Sequence, residues 1–399
     1  MILPAPTFPK KITARQQRTA CLISPTSQTD SKMSVFLSVF LKSRRTKTSI
    51  YKDLKAFFDS GPGTSWYCHN VPQHLKNPPS PWRGGFFFVP RTFTPYDGPL
   101  SLPVREPMNT PNPIDLEFAS LAERDRQYNA RASVADFDAC MRDYVQSSAL
   151  ARQQCVGMYD LRYGMGVAER LDLYLPAGAH HPAPLLIFIH GGYWRALRKE
   201  DSAMMAKVFT DAGVAVATLE YPLLPEATLP ETVREVRSAV AWLHRHGAAY
   251  GIDPDRMYAS GSSAGGHLVG MVLASGWQAS YGLPPVVIQG GVGLSGLYDI
   301  QPLCGTHINE WLRLTPEQAR RLSPLYHLPD TPTPLVLAVG GLETDGFKNQ
   351  TLAYETAWRA QNYPVARVDT PHCNHFNLVS ELALPDSPLT QATLKMIQG

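Results

Sequence analysis

Hydrophobic positions change their period from one stretch of the chain to the next. Leu185-Leu186-Ile187-Phe188-Ile189 is continuously apolar, the pattern of a central strand covered on both faces. Leu171-Asp172-Leu173-Tyr174-Leu175 alternates apolar and polar residues, which predicts an outer antiparallel strand. Apolar runs at 214–219, 286–294, 334–339 and 365–368 predict further strands, with a short one at 256–260. Between them Val233, Val236, Val240 and Leu243 recur at spacings of 3, 4 and 3, and 264–275 reads as a helix. Upstream, Ser133 with Asp136 has the form of a capping box, and Val134, Phe137, Met141 and Val145 predict an amphipathic helix running to about Gln154. Strands alternating with helices predict an α/β class, a mostly parallel central sheet flanked by helices on both faces.

This pattern starts at about residue 113. Before it, Asn77-Pro78-Pro79-Ser80-Pro81 and the isolated Phe86-Phe87-Phe88 keep no period, and 14 of the 35 prolines fall within residues 1–107. Charge divides at the same place: those residues hold 15 Lys and Arg against 5 Asp and Glu, +10, so the overall +3 leaves 108–399 at −7. The expected organisation is a basic, proline-rich, largely disordered extension over 1–107 and one domain over 108–399. The extension has the composition of a nucleic-acid or membrane-surface arm. Its first 50 residues, with nine basic residues and only Asp30 acidic, also have that of an organelle transit peptide. The alternative is translation from Met108, which leaves the segment out of the mature protein. The acidic domain disfavours nucleic acid as a partner, and no run of about 18 apolar residues marks a membrane span. Six scattered cysteines without a C-x-x-C pair indicate neither a zinc site nor a disulfide framework. With no secretory leader, they point to a reducing, cytoplasmic setting.

Candidate chemistry lies at the ends of the expected strands. Gly261-Ser262-Ser263-Ala264-Gly265 fits G-x-S-x-G between a strand and a helix. A serine on so sharp a turn needs small residues two before and two after it, where side chains would meet backbone, and the helix start offers the N–H of Ala264 to a developing oxyanion. His190-Gly191-Gly192-Tyr193-Trp194 follows the central strand, and its glycines let the N–H groups of Gly191 and Gly192 approach a reacting carbonyl. His190 is expected to fix that loop rather than act as a base. A serine hydroxyl needs a base, and the base an orienting carboxylate. His375 lies past the last strand-like run, with His372 as runner-up. Glu343 or Asp345 follows the strand ending at Val339, and Asp299 is a third candidate acid. Serine, acid, histidine is the chain order of the α/β-hydrolase triad. His372 with His375, and Gly305-Thr306-His307, lack the further ligands a metal site needs, so no metal is expected.

From about 113 to 399 the chain resembles the kynurenine formamidase-like branch of the α/β-hydrolases, related to esterases of the hormone-sensitive-lipase type. The resemblance rests on His190 to Trp194, Gly261 to His267, Ser295-Gly296-Leu297-Tyr298-Asp299, Gly340-Gly341-Leu342-Glu343 with Phe347 and Gln350, and Asn374-His375-Phe376. It implies an α/β-hydrolase fold and Glu343 as the acid beside Ser263 and His375. It also implies an aryl formamide substrate such as N-formylkynurenine, in tryptophan breakdown, and a homodimer. The sequence departs from the family at Gly346 and Lys348-Asn349, where relatives often carry an acidic residue and an arginine. Tyr193, Trp194 and Tyr298, with Trp311, are candidates for an aromatic substrate pocket. The expected activity is two-step acyl transfer without metal or organic cofactor, on an aryl formamide or a small carboxylic ester. The alternatives are a general carboxylesterase and, from another class, a non-catalytic hydrolase-fold binding protein. The latter usually lacks the nucleophile, the histidine or an oxyanion glycine, and this chain keeps all three.

Mass spectrometry of the native N-terminus separates the two readings of the extension. Translation from Met108 predicts a chain beginning there, and a mature protein retaining Met1 excludes it.

Overall fold

One eight-stranded sheet organises the computed structural model, which describes residue 118 and residues 120–178 and 181–399. The expected extension over 1–107 and the boundary at 108 lie outside the described residues. The chain runs through α1 (Leu121–Gln127), α2 (Phe137–Gln154), β1 (Val156–Arg162), β2 (Arg170–Leu175) and β3 (Ala183–Ile189). It continues through α3 (Ala206–Asp211), β4 (Ala215–Leu219), α4 (Leu229–His246), β5 (Ile252–Ser262), α5 (Ala264–Leu273) and β6 (Gly291–Leu294). Two short helices, α6 (Asn309–Leu312) and α7 (Pro316–Arg321), precede β7 (Leu335–Gly340), α8 (Asp345–Ala360), β8 (Val365–Thr370) and α9 (Pro388–Gln398). The strand order is β1-β2-β4-β3-β5-β6-β7-β8. β2 is antiparallel to both neighbours, and every pair from β4 to β8 is parallel. This is the α/β-hydrolase arrangement.

Side-chain alternation splits the apolar runs between two cores. Leu185, Ile187 and Ile189 of β3 join Ala215, Ala217, Leu219, Leu335, Leu337 and Val339 on one face, against α4, α5 and α8. Leu186 and Phe188 join Val216, Val292, Leu294, Val336 and Ala338 on the other, with Tyr144 of α2, Phe209 of α3 and Leu389 and Ile397 of α9. A strand feeding both cores has no polar face to offer, so β3 is buried throughout. Helix α4 begins where the carboxylate of Glu231 accepts from the N–H of Thr228 at 2.7 Å, and it turns Val233, Val236, Val240 and Leu243 inward as their spacing predicts.

Several expectations shift. Asp136, not Ser133, caps α2 by accepting from the N–H of Ala139 at 2.8 Å, because Ser133 already closes a 3-10 turn over Ala130–Ser133. The buried face of α2 is Tyr144, Ser148 and Ala151, while Val145 is exposed. The run 286–294 is a strand only from Gly291, where it meets β5 and β7. β2 is not outermost, since β1 covers its far edge. Its alternation marks a charge turned inward: Asp172 is fully buried, accepting from Lys199 Nζ at 2.8 Å, the N–H of Asp160 at 2.9 Å and the Arg152 guanidinium.

Removing Asp172 leaves Arg152 without its carboxylate and Lys199 with only the more exposed Asp160 and Glu200 as partners. Asp172→Ala is therefore expected to lower the unfolding free energy by about 3–5 kcal/mol, read from urea denaturation. A loss under about 1 kcal/mol would mean that Arg152 reaches water and that Asp160 and Glu200 suffice for Lys199.

Candidate active site

Every element of the site sits just beyond the C-terminal end of a parallel strand. In sheet order β3, β5, β6, β7 and β8, these ends carry Gly191, Ser263, Ser295, Glu343 and His375. Ligands of open α/β sheets bind at this edge.

Ser263 stands between β5 and α5 at φ 58°, ψ −119°, with its N–H donated to Leu294 O at 2.8 Å. Strain at this non-glycine residue is held in place by close backbone packing on either side. A Cβ on Gly261 would lie 2.5 Å from Gly265 O, and one on Gly265 would lie 2.0 Å from Ile189 O. The glycines of G-x-S-x-G are thus required by the approach of β3, β5 and α5.

The loop after β3 brings the backbone of Gly191 against the serine: a Cβ there would meet Ser262 O at 2.8 Å and Ser263 Cβ at 3.2 Å. Gly192, Tyr193 and Trp194 all have positive φ, at 89°, 50° and 58°. What holds this turn is Tyr221, missed by the sequence reading. Its hydroxyl donates to His190 O at 2.9 Å, and its ring stacks on His190 at 4.1 Å. The indole N–H of Trp311 donates to Tyr193 O at 3.2 Å, and the N–H of Leu224 to Trp194 O at 2.8 Å. His190 is fully buried, with Nδ1 at 3.0 Å from Gly191 O, which matches its expected loop-fixing part.

Of the three candidate acids, Glu343 alone meets a histidine. Its Oε2 lies 2.6 Å from His375 Nδ1, while Oε1 accepts from the Gly340 N–H at 2.7 Å and the Ser295 hydroxyl at 2.5 Å. Asp345 is exposed on the first turn of α8, 4.0 Å from Lys348 Nζ. Asp299 is buried and accepts from the Tyr326 hydroxyl at 2.9 Å. His375 packs against the rings of Phe347 and Phe376, centroids 4.2 and 5.4 Å away, and His372 is exposed. Asn374 shapes the turn around His375, accepting from the N–H groups of Phe376 and Asn377 at 2.9 and 3.0 Å.

The candidate pocket wall needs correction. Trp194 has no exposed surface and packs edge-on to His267, and Tyr298 is buried in a stack with Tyr354 at 4.0 Å. Both rings fill the core, as bulky aromatics near a strand end often do. Tyr193 is half-buried, with its hydroxyl donated to Tyr128 O. His267 is buried with Nε2 at 2.6 Å from Leu322 O, and burial pushes its imidazole down to about 4, so it is neutral. His307 of the G-T-H sequence is occupied by Asp125, 2.7 Å from its Nδ1. Among the described residues no group of His, Cys, Asp and Glu is placed to hold a metal ion.

Comparison with known proteins agrees with this geometry. A family model described as BD-FAE matches residues 171–280, a span that includes Gly191 and Ser263. Kynurenine formamidase of Salmo salar is 34% identical over 254 residues, which cover 62% of this chain and 84% of that protein. The chain belongs to the kynurenine formamidase family. A solved protein from Silicibacter sp. TM1040, whose thioesterase assignment is itself provisional, is 30% identical with a TM-score of 0.59, over 69% of this chain and 98% of that one. Esterase B from Lactobacillus rhamnosis, 20% identical with a TM-score of 0.52 over 65% of this chain and 94% of that one, shares the fold. Gly346, where the family resemblance leads one to expect an acidic residue, packs closely against the end of α1. A Cβ there would lie 3.0 Å from Gln127 O, and the Gly346 N–H donates to Gln127 Oε1 at 3.0 Å.

The close approach at the serine turn has a measurable consequence. Gly265→Ala must separate α5 from the end of β3, and is expected to lower stability by about 3 kcal/mol in urea unfolding. A change within about 0.5 kcal/mol would mean that the Ile189 carbonyl gives way freely.

Proposed function

We propose that Ser263, Glu343 and His375 form the catalytic triad of a serine hydrolase acting on formamide or ester substrates, seated in the segment 108–399. The N–H groups of Gly191, Gly192 and Ala264 would form the oxyanion hole. The observation that carries this reading is the Glu343 to His375 hydrogen bond of 2.6 Å, made at strand ends that follow the strained Ser263 turn along one sheet edge. His375 takes the serine proton as Oγ adds to the substrate carbonyl, and Glu343 fixes the ring and stabilises its cation. The N–H groups receive the negative oxygen, a contribution of about 3–4 kcal/mol per donor in comparable sites. Collapse breaks the C–N bond of a formamide, or the C–O bond of an ester, as His375 returns the proton to the leaving group. Water, activated by the same imidazole, then cleaves the acyl-enzyme. No step calls on a metal or organic cofactor.

The substrate we propose is an aryl formamide of the N-formylkynurenine kind, which is what kynurenine formamidase of Salmo salar is named for. The same machinery cleaves small carboxylic esters, so the ester reading differs in substrate and not in mechanism. The proposal includes a cytoplasmic enzyme, from its scattered cysteines, and a homodimer, from the family resemblance. Neither enters the chemistry.

Parallel measurement of kcat/KM on N-formylkynurenine and p-nitrophenyl acetate tests the substrate. The formamide is expected to be preferred by roughly tenfold or more, and a strong preference for the ester would overturn that part. Ser263→Ala should lower kcat by about four to six orders of magnitude on both. Activity surviving in Glu343→Ala but lost in Asp345→Ala would move the acid to Asp345.

A further inference from the structure

Ser295 is the first residue beyond β6, fully buried, with its N–H donated to Ala338 O at 2.9 Å in continuation of the ladder to β7. Its φ is +48°, in the left-handed region that a residue with a Cβ enters only at a cost and that glycine enters freely. A glycine would serve the turn better, so the serine hydroxyl must supply something a glycine cannot. That hydroxyl donates to Glu343 Oε1 at 2.5 Å.

The carboxylate it meets is unusually dependent on such donors. Glu343 is 4% exposed, and among the described residues its one ion-pair partner is His375, with no lysine or arginine in range. Oε2 is committed to His375 Nδ1, and Oε1 is held by the Gly340 N–H and the Ser295 hydroxyl. The backbone donor comes from the same turn as Glu343 and moves with it. Ser295 is the donor anchored on a different strand, and it fixes the rotation of the carboxyl plane that aims Oε2 at the imidazole. We infer that Ser295 is a positioning residue of the reaction, a fourth member that holds the Glu343 carboxyl in plane for His375. The inference rests on the triad reading above.

The test compares Ser295→Ala, which removes the hydroxyl and keeps the backbone strain, with Ser295→Gly, which removes both. Each is made in the full chain and assayed on p-nitrophenyl acetate across pH. Loss of the hydroxyl leaves the negative charge on Glu343 less dispersed. The carboxylate then attracts the imidazolium more strongly, and the proton leaves His375 at higher pH. The expected result is a kcat lower by roughly tenfold to a hundredfold in both variants with KM within about twofold, and an acid limb of kcat/KM moved up by roughly half a pH unit. Ser295→Gly is expected to melt above Ser295→Ala, since both lose the hydroxyl and the glycine alone relieves the strain, so an equal fall in kcat in the two variants separates a positioning role from loss of fold. Should Ser295→Ala fail to fold, the glycine variant alone decides. A Ser295→Gly enzyme with unchanged kcat and acid limb overturns the inference. Ser263→Ala, assayed beside them, keeps the two readings apart: if it stays active the triad fails, whereas if it is dead and Ser295→Gly is fully active, only the role of Ser295 fails.

Discussion

A buried carboxylate must be satisfied where it stands, and the candidate site is arranged around that requirement at Glu343. Its two oxygens take one hydrogen bond each from the turns after β6 and β8, and one more from its own turn after β7. Three consecutive strands are therefore fixed relative to one another at their C-terminal ends by a single side chain. The Glu343 turn is also tied to the histidine loop through backbone, with the N–H of Gly341 donated to Thr370 O at 2.9 Å and that of Leu342 to Cys373 O at 3.0 Å. Such satisfaction makes a buried charge tolerable, since the same group left unpaired would cost several kcal/mol.

Strain collects along the same edge. Tyr193, Trp194, Ser263 and Ser295 are non-glycine residues at positive φ, each in a turn that leaves the sheet or continues from it. Left-handed residues of this kind cost of order 1–3 kcal/mol apiece and persist only where their surroundings determine them. The surroundings here are specific: the Leu294 and Ala338 carbonyls hold the N–H groups of Ser263 and Ser295, and Tyr221 and Trp311 hold carbonyls of the glycine loop. The two apolar cores on either face of β3 supply the stability that such turns draw on.

The central strand, α4 and the serine turn could be read in the sequence because each is set by local pattern. Five apolar residues in a row, a 3-4-3 spacing and glycines two either side of a serine carry their meaning without knowing what packs against them. Where a distant partner decides, pattern misled. Asp172 looks like the polar half of an exposed strand until Arg152 and Lys199 arrive from other elements. Trp194 and Tyr298 look available for a pocket until His267 and Tyr354 cover them. β1 escaped notice because it is an edge strand, most of whose residues are exposed and carry no apolar period. Tyr221 escaped notice and Ser295 stood out only as part of the motif Ser295 to Asp299, with no role of its own, since a hydroxyl's role depends on which carbonyl or carboxylate it reaches.

The close packing at Gly346 belongs to the same class of distant effects. At the C-terminus of α1, Gln127 accepts on its carbonyl from the Thr344 hydroxyl and on its side chain from the Gly346 N–H. The next residue, Tyr128, accepts on its carbonyl from the Tyr193 hydroxyl, while its own hydroxyl meets Gln350 Nε2 at 3.0 Å. This short segment thus bridges the acid turn and the glycine loop, the two parts of the edge that the sheet itself does not join directly. A side chain at 346 would push against Gln127 and loosen both. The lack of a side chain at 346 is therefore what lets α1 sit against the start of α8. The space at 346 is given to backbone packing between the end of α1 and the first turn of α8.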